Sequence, residues 1–203
     1  MIPLLVTRAE DEARALVAKL GPHAIPAPCL AFVALAPPRP ALPGADLLVT
    51  SPRAVGPLAQ VGLDPSWRVL ALAPATSRAL LAAGLPVHLA VEGGGAALAA
   101  AAGPGPVICA TSDLGGDEVR RVRPDAVVWV LYRTVCPEAL PAAAIAALAG
   151  AFDVLFTSPS AVLHFETLAP GALLRARRVL CHGATTLAEV SRHGRMGELT
   201  PLP

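Results

Sequence analysis

The feature that most constrains this chain is a repeat. Thr50-Ser51-Pro52-Arg53-Ala54-Val55 returns 107 residues later as Thr157-Ser158-Pro159-Ser160-Ala161-Val162. Downstream of each loop comes a second pair, Val69–Thr76 and Val179–Thr186, 110 residues apart. Each of these runs eight residues on to a glycine, Gly84 or Gly194. A third, weaker pair sets Leu4-Leu5-Val6-Thr7-Arg8 against Ile108-Cys109-Ala110-Thr111-Ser112, at an offset of 104. Three offsets in one narrow range mean that one unit of structure is built twice.

Every copy has the same local grammar: an apolar β-run, then Thr or Ser, then a helical pattern that closes on Gly. Leu4–Thr7 reads as a buried strand, followed by a helical stripe of Ala13, Leu16, Val17 and Leu20 that ends at Gly21. Asp46–Val49 is a strand, Thr50 or Ser51 an N-cap and Pro52 a first-turn residue, which turns Val55, Leu58 and Ala59 inward. Val69–Leu72 feeds a helix from about Ala75 to Ala83, capped by Gly84. Strands that alternate with helices and carry little polar alternation belong to parallel sheets covered on both faces. Two segments break the rhythm, Ala24–Pro38 and Ala126–Pro137, and read as long strands; prolines 26, 28, 37 and 38 confine the first to an edge or hinge.

Composition excludes several classes. Hydrophobic residues make up 54% of the 203, yet Pro, Gly or Arg interrupts every run before membrane-spanning length. A net charge of +1 gives no field to attract nucleic acid or a membrane surface. No secretory signal pattern opens the sequence, so a cytoplasmic location is expected. Gly93-Gly94-Gly95 and Gly103-Pro104-Gly105-Pro106 match no phosphate-cradling pattern. Cys29, Cys109, Cys136 and Cys181 are scattered, which fits buried thiols better than a zinc site built from Cys181, His182 and distant partners. In parallel sheets ligands bind at the carboxyl ends of the strands, and all the Thr/Ser loops stand there.

Taken together, the VTR start, TSPRAV, the strand-Ala-Thr-helix-Gly unit, Val130-Leu131-Tyr132-Arg133-Thr134, FTSPSAV and Gly183-Ala184-Thr185-Thr186 resemble uroporphyrinogen-III synthase, in order over nearly the whole chain. The resemblance implies an α/β fold of two parallel-sheet, three-layer lobes joined by a two-stranded linker with a cleft between them. It assigns residues 1–32 and 133–203 to one lobe and 33–132 to the other, with linkers at about 24–38 and 126–137. The implied enzyme is a monomeric cyclising lyase of haem biosynthesis, needing neither cofactor nor metal. Its substrate is hydroxymethylbilane, a linear tetrapyrrole rich in carboxylates, which it closes with loss of water and inversion of the last pyrrole ring.

The electron-rich pyrrole itself drives loss of the hydroxyl, and what the free reaction lacks is control, since the unguided chain closes to the type I isomer. The protein must fold and hold the substrate. Tyr132, the only tyrosine, matches the family's tyrosine in the returning linker and could donate a proton to the departing hydroxyl. Substrate carboxylates are expected on Thr50, Ser51, Thr157, Ser158 and Ser160, on Thr76, Thr185 and Thr186, and on Arg8; Arg53 is a weaker candidate because Ser160 takes its place in the second copy. The remaining arginine clusters, 120–123 and 175–178, read as solvated surface, and the five histidines show no evident partners. In relatives the turn at Ala73-Pro74 usually opens with Gly. Two other readings share these loops: a non-catalytic binder of a small polycarboxylate or tetrapyrrole, and a nucleotide-dependent α/β enzyme, the latter disfavoured by the missing phosphate loop.

Overall fold

A computed structural model of the chain describes residues 1–202; Pro203, the last residue of the expected first lobe, lies outside the described residues. The chain opens with β1 (Leu4–Val6), α1 (Glu10–Leu20), β2 (Ala24–Pro26), β3 (Ala31–Ala34), β4 (Asp46–Val49), α2 (Val55–Val61), β5 (Arg68–Leu72), α3 (Ala75–Ala82), β6 (Leu89–Val91) and α4 (Gly95–Ala100). It continues through β7 (Val107–Ser112), α5 (Asp117–Val122), β8 (Val127–Val135), α6 (Ala142–Ala147), β9 (Asp153–Phe156), α7 (Pro159–Leu168), α8 (Ala172–Arg175), β10 (Arg178–Cys181), α9 (Ala184–Arg192) and β11 (Glu198–Leu199). These elements form two compact units, residues 1–32 with 135–202 and residues 33–134, and the chain changes unit inside β3 and inside β8.

The repeat becomes the same sheet twice. Unit 1 orders its strands β11-β10-β9-β1-β2, and unit 2 orders its own β6-β5-β4-β7-β8, with β3 added at the edge beside β8. The repeated segments occupy matching places, β9 with β4, β10 with β5 and β1 with β7, although the chain visits them in a different order. The strand pairs with a resolved register within each five-strand set are parallel. Register corrects one detail of the sequence reading: Asp153 pairs with Leu4 and Asp46 with Val107, an offset of 103, so Thr7 matches Ala110 and Arg8 matches Thr111.

Burial on both faces explains the unbroken apolar strands. In unit 1, Leu5, Val154 and Phe156 pack with Phe165 and Val162 of α7, Leu173 of α8 and Val190 of α9. Leu4, Val6 and Leu155 point the other way, onto Ala13 and Leu16 of α1. In unit 2, Leu48, Leu70, Val107 and Cys109 meet Leu98 of α4 and Val119 of α5, while α3 packs beside β5. Burial also pushes the Cys109 and Cys181 thiols up to about 11, as expected of core thiols.

The caps follow the predicted grammar. Gly21 ends α1 at φ 93°, and Gly84 and Gly194 close α3 and α9 at φ 71° and 74°, with Leu85 N–H on Leu80 C=O and Arg195 N–H on Val190 C=O. Two expectations fail. Ala24–Pro38 is not one long strand but β2 and β3, separated by Ala27–Leu30, each at a sheet edge, because proline cannot donate to a ladder. Ala59 is exposed, whereas Ala54 and Pro57 are buried with Val55 and Leu58. Pro52–Ala54 is a 3₁₀ turn, which advances about 120° per residue instead of about 100°, so the inward stripe starts one residue early.

Both sheets are pinned at the amino edge by one device that the repeat did not reveal. Asp46 at the start of β4 accepts Arg68 Nε and Nη2, each at 2.8 Å, and Asp153 at the start of β9 accepts Arg177 Nε and Nη2 at 2.9 and 2.7 Å. The Arg177 guanidinium beside Asp153 holds its carboxyl below the usual carboxylate range. Several of the cations expected as solvated surface are therefore structural, Arg177 among them: Arg123 bonds the Gly103 and Gly105 carbonyls and Asp125, and Arg178 forks Glu198, while Arg120 and Arg121 are exposed as expected. Histidines have partners as well, His88 Nδ1 accepting Val69 N–H at 2.9 Å and His164 Nδ1 meeting Cys29 C=O at 2.7 Å.

Candidate functional site

With charge fixed at the amino edges, the carboxyl edges carry mostly hydroxyls and loop amides. Each sheet has one place where neighbouring strands send their chains to opposite faces, between β1 and β9 in unit 1 and between β4 and β7 in unit 2, and such a switch opens a crevice beyond the strand ends.

In unit 1 the buried Thr7 closes β1 by donating N–H and Oγ1–H to Leu155 C=O, at 3.2 and 2.8 Å. Beside it Thr157 follows β9, and Ser158 Oγ accepts Ala161 N–H at 3.3 Å, capping α7 with Pro159 in its first turn and Ser160 next. Arg8 is held by Glu12, with Nη2 on Oε2 at 2.7 Å, so a ligand carboxylate has to share this cation. At the next turn Gly183, at φ 98°, leads into α9; Thr185 is exposed there, and the buried Thr186 turns its hydroxyl back to His182 C=O at 3.3 Å.

In unit 2 Thr50 follows β4. Its N–H donates to Ala110 C=O at 3.4 Å, and its Oγ1 lies 3.3 Å from the same oxygen and 3.1 Å from Thr111 Oγ1. Ser51 Oγ accepts Arg53 N–H at 3.3 Å, which nucleates the 3₁₀ turn. The β5–α3 turn passes through a cis Ala73–Pro74 peptide where the β10–α9 turn has Gly183, and the buried Thr76 sits in the first turn of α3. Tyr132 is buried near the end of β8, its carbonyl accepting Asp113 N–H at 3.2 Å.

A cavity of about 370 Å³ opens at this switch, with Thr50, Leu72, Thr111, Gly115, Gly116, Asp117 and Glu118 among its walls. Glycine makes it possible: a Cβ on Gly115 would fall 2.1 Å from Thr111 Oγ1, and one on Gly94 would fall 2.9 Å from Glu118 Oε2. Of the unit 2 residues expected at the site, Thr50 lines this cavity, whereas Ser51, Thr76 and Tyr132 are not among its walls; in unit 1, Arg8, Thr157, Ser158, Ser160, Thr185 and Thr186 stand on the turns and first helical residues that follow β1, β9 and β10. Sequence reasoning missed Thr7 and Thr111. The third repeat pair contains both, and reading it at its true register would have set Thr111 against Arg8.

The family model described as Uroporphyrinogen-III synthase HemD matches residues 11–200. The chain belongs to the uroporphyrinogen-III synthase family. No match was found among the curated proteins. Among solved structures, uroporphyrinogen-III synthetase from Helicobacter pylori is similar at 16% identity with a TM-score of 0.72, over 98% of this chain and 92% of that one. A mutant uroporphyrinogen III synthase from Thermus thermophilus is similar at 19% identity with a TM-score of 0.55, over the same shares. At such identities the likeness speaks for the α/β fold with two parallel sheets, and the family match covers the chain from α1 through β11. No helix among the described residues is long and apolar enough to cross a membrane.

Proposed function

We propose that the chain is a uroporphyrinogen-III synthase that cyclises hydroxymethylbilane, with loss of water and inversion of the last pyrrole ring, as a cofactor-independent monomer in the cytoplasm. The observation that carries the reading is the pair of hydroxyl-bearing carboxyl edges, one at the switch of each sheet, in a chain that the family matches over residues 11–200. Such edges suit a reaction whose driving force lies in the substrate. The site has to hold a flexible polycarboxylate so that the substituted carbon of the last ring, rather than its unsubstituted one, meets the electrophile.

In this reading the two units act on one substrate. Thr157, Ser158, Ser160 and Thr185, with Arg8 and the neighbouring loop amides, bind its carboxylates from unit 1, and Thr50, Ser51 and Thr76 act from unit 2. Thr186 serves by fixing the turn that presents Thr185. Tyr132 donates the proton that carries the hydroxyl away as water. A non-catalytic binder would keep the same contacts, and the family match favours the enzyme. The deciding experiment supplies hydroxymethylbilane to purified protein and measures the ratio of III to I isomer: predominance of III is expected, and type I alone, as without protein, would refute the proposal.

A further inference from the structure

We infer that the cavity at the carboxyl edge of unit 2 holds the reacting pyrrole ring through its N–H, with Thr111 as the accepting group, and not a substrate carboxylate. The inference rests on the synthase reading above and says which part of the substrate each edge takes.

Three observations carry it. First, Thr111 is 4% exposed and lines the cavity beside Thr50. Thr50 Oγ1 is the donor of this pair, with Thr111 Oγ1 at 3.1 Å and Ala110 C=O at 3.3 Å as its acceptors, so the Thr111 oxygen already accepts one hydrogen bond from inside the protein. A second lone pair on Thr111 Oγ1 remains for an N–H donor in the cavity, and the choice against a carboxylate is made by the rest of the lining. Secondly, the walls include Asp117 and Glu118 and no Lys, Arg or His. Glu118 is drawn in by Gly95 N–H on its Oε2 at 2.7 Å, an approach that a side chain at Gly94 would block. A carboxylate here would meet two like charges and no cation. Thirdly, the matching register position in unit 1 is Arg8, so the edges of the two copies differ in chemistry at the same point of the fold.

The step this cavity favours is ionisation. The C–O bond of the hydroxymethyl group breaks with its electrons on oxygen, which takes a proton and leaves as water; the ring nitrogen supplies the electron pair, and the ring becomes an azafulvenium cation that keeps its N–H. That N–H is a stronger donor than before, and the positive charge grows in view of lone pairs and two carboxylates, so the contacts are worth more in the transition state than in the ground state.

The test uses Thr111→Val, Thr111→Ser and Glu118→Gln in the full chain, with steady-state kinetics on hydroxymethylbilane and the isomer ratio as readouts. The amide oxygen introduced by Glu118→Gln still offers an acceptor to Gly95 N–H, and circular dichroism melting checks that each variant folds. Thr111→Val should lower kcat roughly three- to tenfold with KM within about twofold, and Thr111→Ser should recover most of the loss. Glu118→Gln should also lower kcat. A raised KM at constant kcat for Thr111→Val, together with a lowered KM for Glu118→Gln, would mean that a carboxylate sits there and would overturn the inference, as would wild-type kinetics in both. If Thr111→Val does not fold, Thr111→Ser and Glu118→Gln decide by the same signs. Wild-type protein that yields only type I isomer would instead defeat the synthase reading itself.

Discussion

Removing the Asp46 carboxylate should destabilise unit 2 by an amount that the local geometry sets. Asp46 is 8% exposed and accepts Gly103 N–H at 2.6 Å besides the two Arg68 contacts at 2.8 Å. A hydrogen bond to a charged group contributes about 1.5–3 kcal/mol, which is the scale of the Gly103 contact. The Arg68 side chain is 48% exposed, so solvent screens its share down to about 0.5–1 kcal/mol. Asp46→Ala should therefore cost about 2–4 kcal/mol, and Asp46→Asn, which keeps an acceptor for Gly103, roughly half as much.

Urea unfolding followed by tryptophan fluorescence measures this selectively, because both tryptophans, Trp67 and Trp129, lie in unit 2 and stack edge-on at 5.8 Å. Burial opposes ionisation of Asp46, but the hydrogen bonds from Arg68 and Gly103 outweigh it and hold the carboxyl below its usual range. With the folded value below the unfolded one of about 3.9, the contribution is complete above about pH 5 and is lost as pH falls through the folded value. The gap between wild type and Asp46→Asn should accordingly narrow on acidification. A gap that does not change between about pH 6 and pH 3, or an Ala variant within about 0.5 kcal/mol of wild type, would refute the reasoning.

Other variants probe the remaining links. Gly115→Ala drives a methyl into Thr111 Oγ1 and should cost about 1–3 kcal/mol in urea unfolding, with partial recovery in Gly115→Ala/Thr111→Ala; equal stability of both single and double variants would show that the contact is slack. Phe165→Ala empties a fully buried site that faces Phe156 edge-on at 5.4 Å, and should lower stability by about 3–5 kcal/mol by far-UV circular dichroism, a loss below about 1 kcal/mol being incompatible with that packing. Tyr132→Phe should reduce turnover by about a hundredfold or more, the scale of one general-acid contribution, in protein that still folds by far-UV circular dichroism; unchanged turnover would remove Tyr132 from the mechanism.

What the sequence determined by itself is local and repeated. An apolar run followed by Thr or Ser, a proline in the first turn and a glycine eight residues on each depend on a few neighbouring residues, so strands, caps and the duplicated Thr-Ser-Pro loops were legible. So was the family, because its motifs are short and keep their order. Tertiary structure decided what depends on residues far apart. It set the third repeat one residue away from its best sequence match, which put Thr111 in the place of Arg8. It also turned the arginines 123, 177 and 178 from apparent surface charge into fixed partners, because the carboxylate or carbonyl that each one meets comes from elsewhere in its unit. Pairing across strands is a non-local event, and a single-residue slip changes every neighbour at the strand end. For that reason the Thr50–Thr111 contact and the glycine-walled cavity around it could be read only from the folded chain.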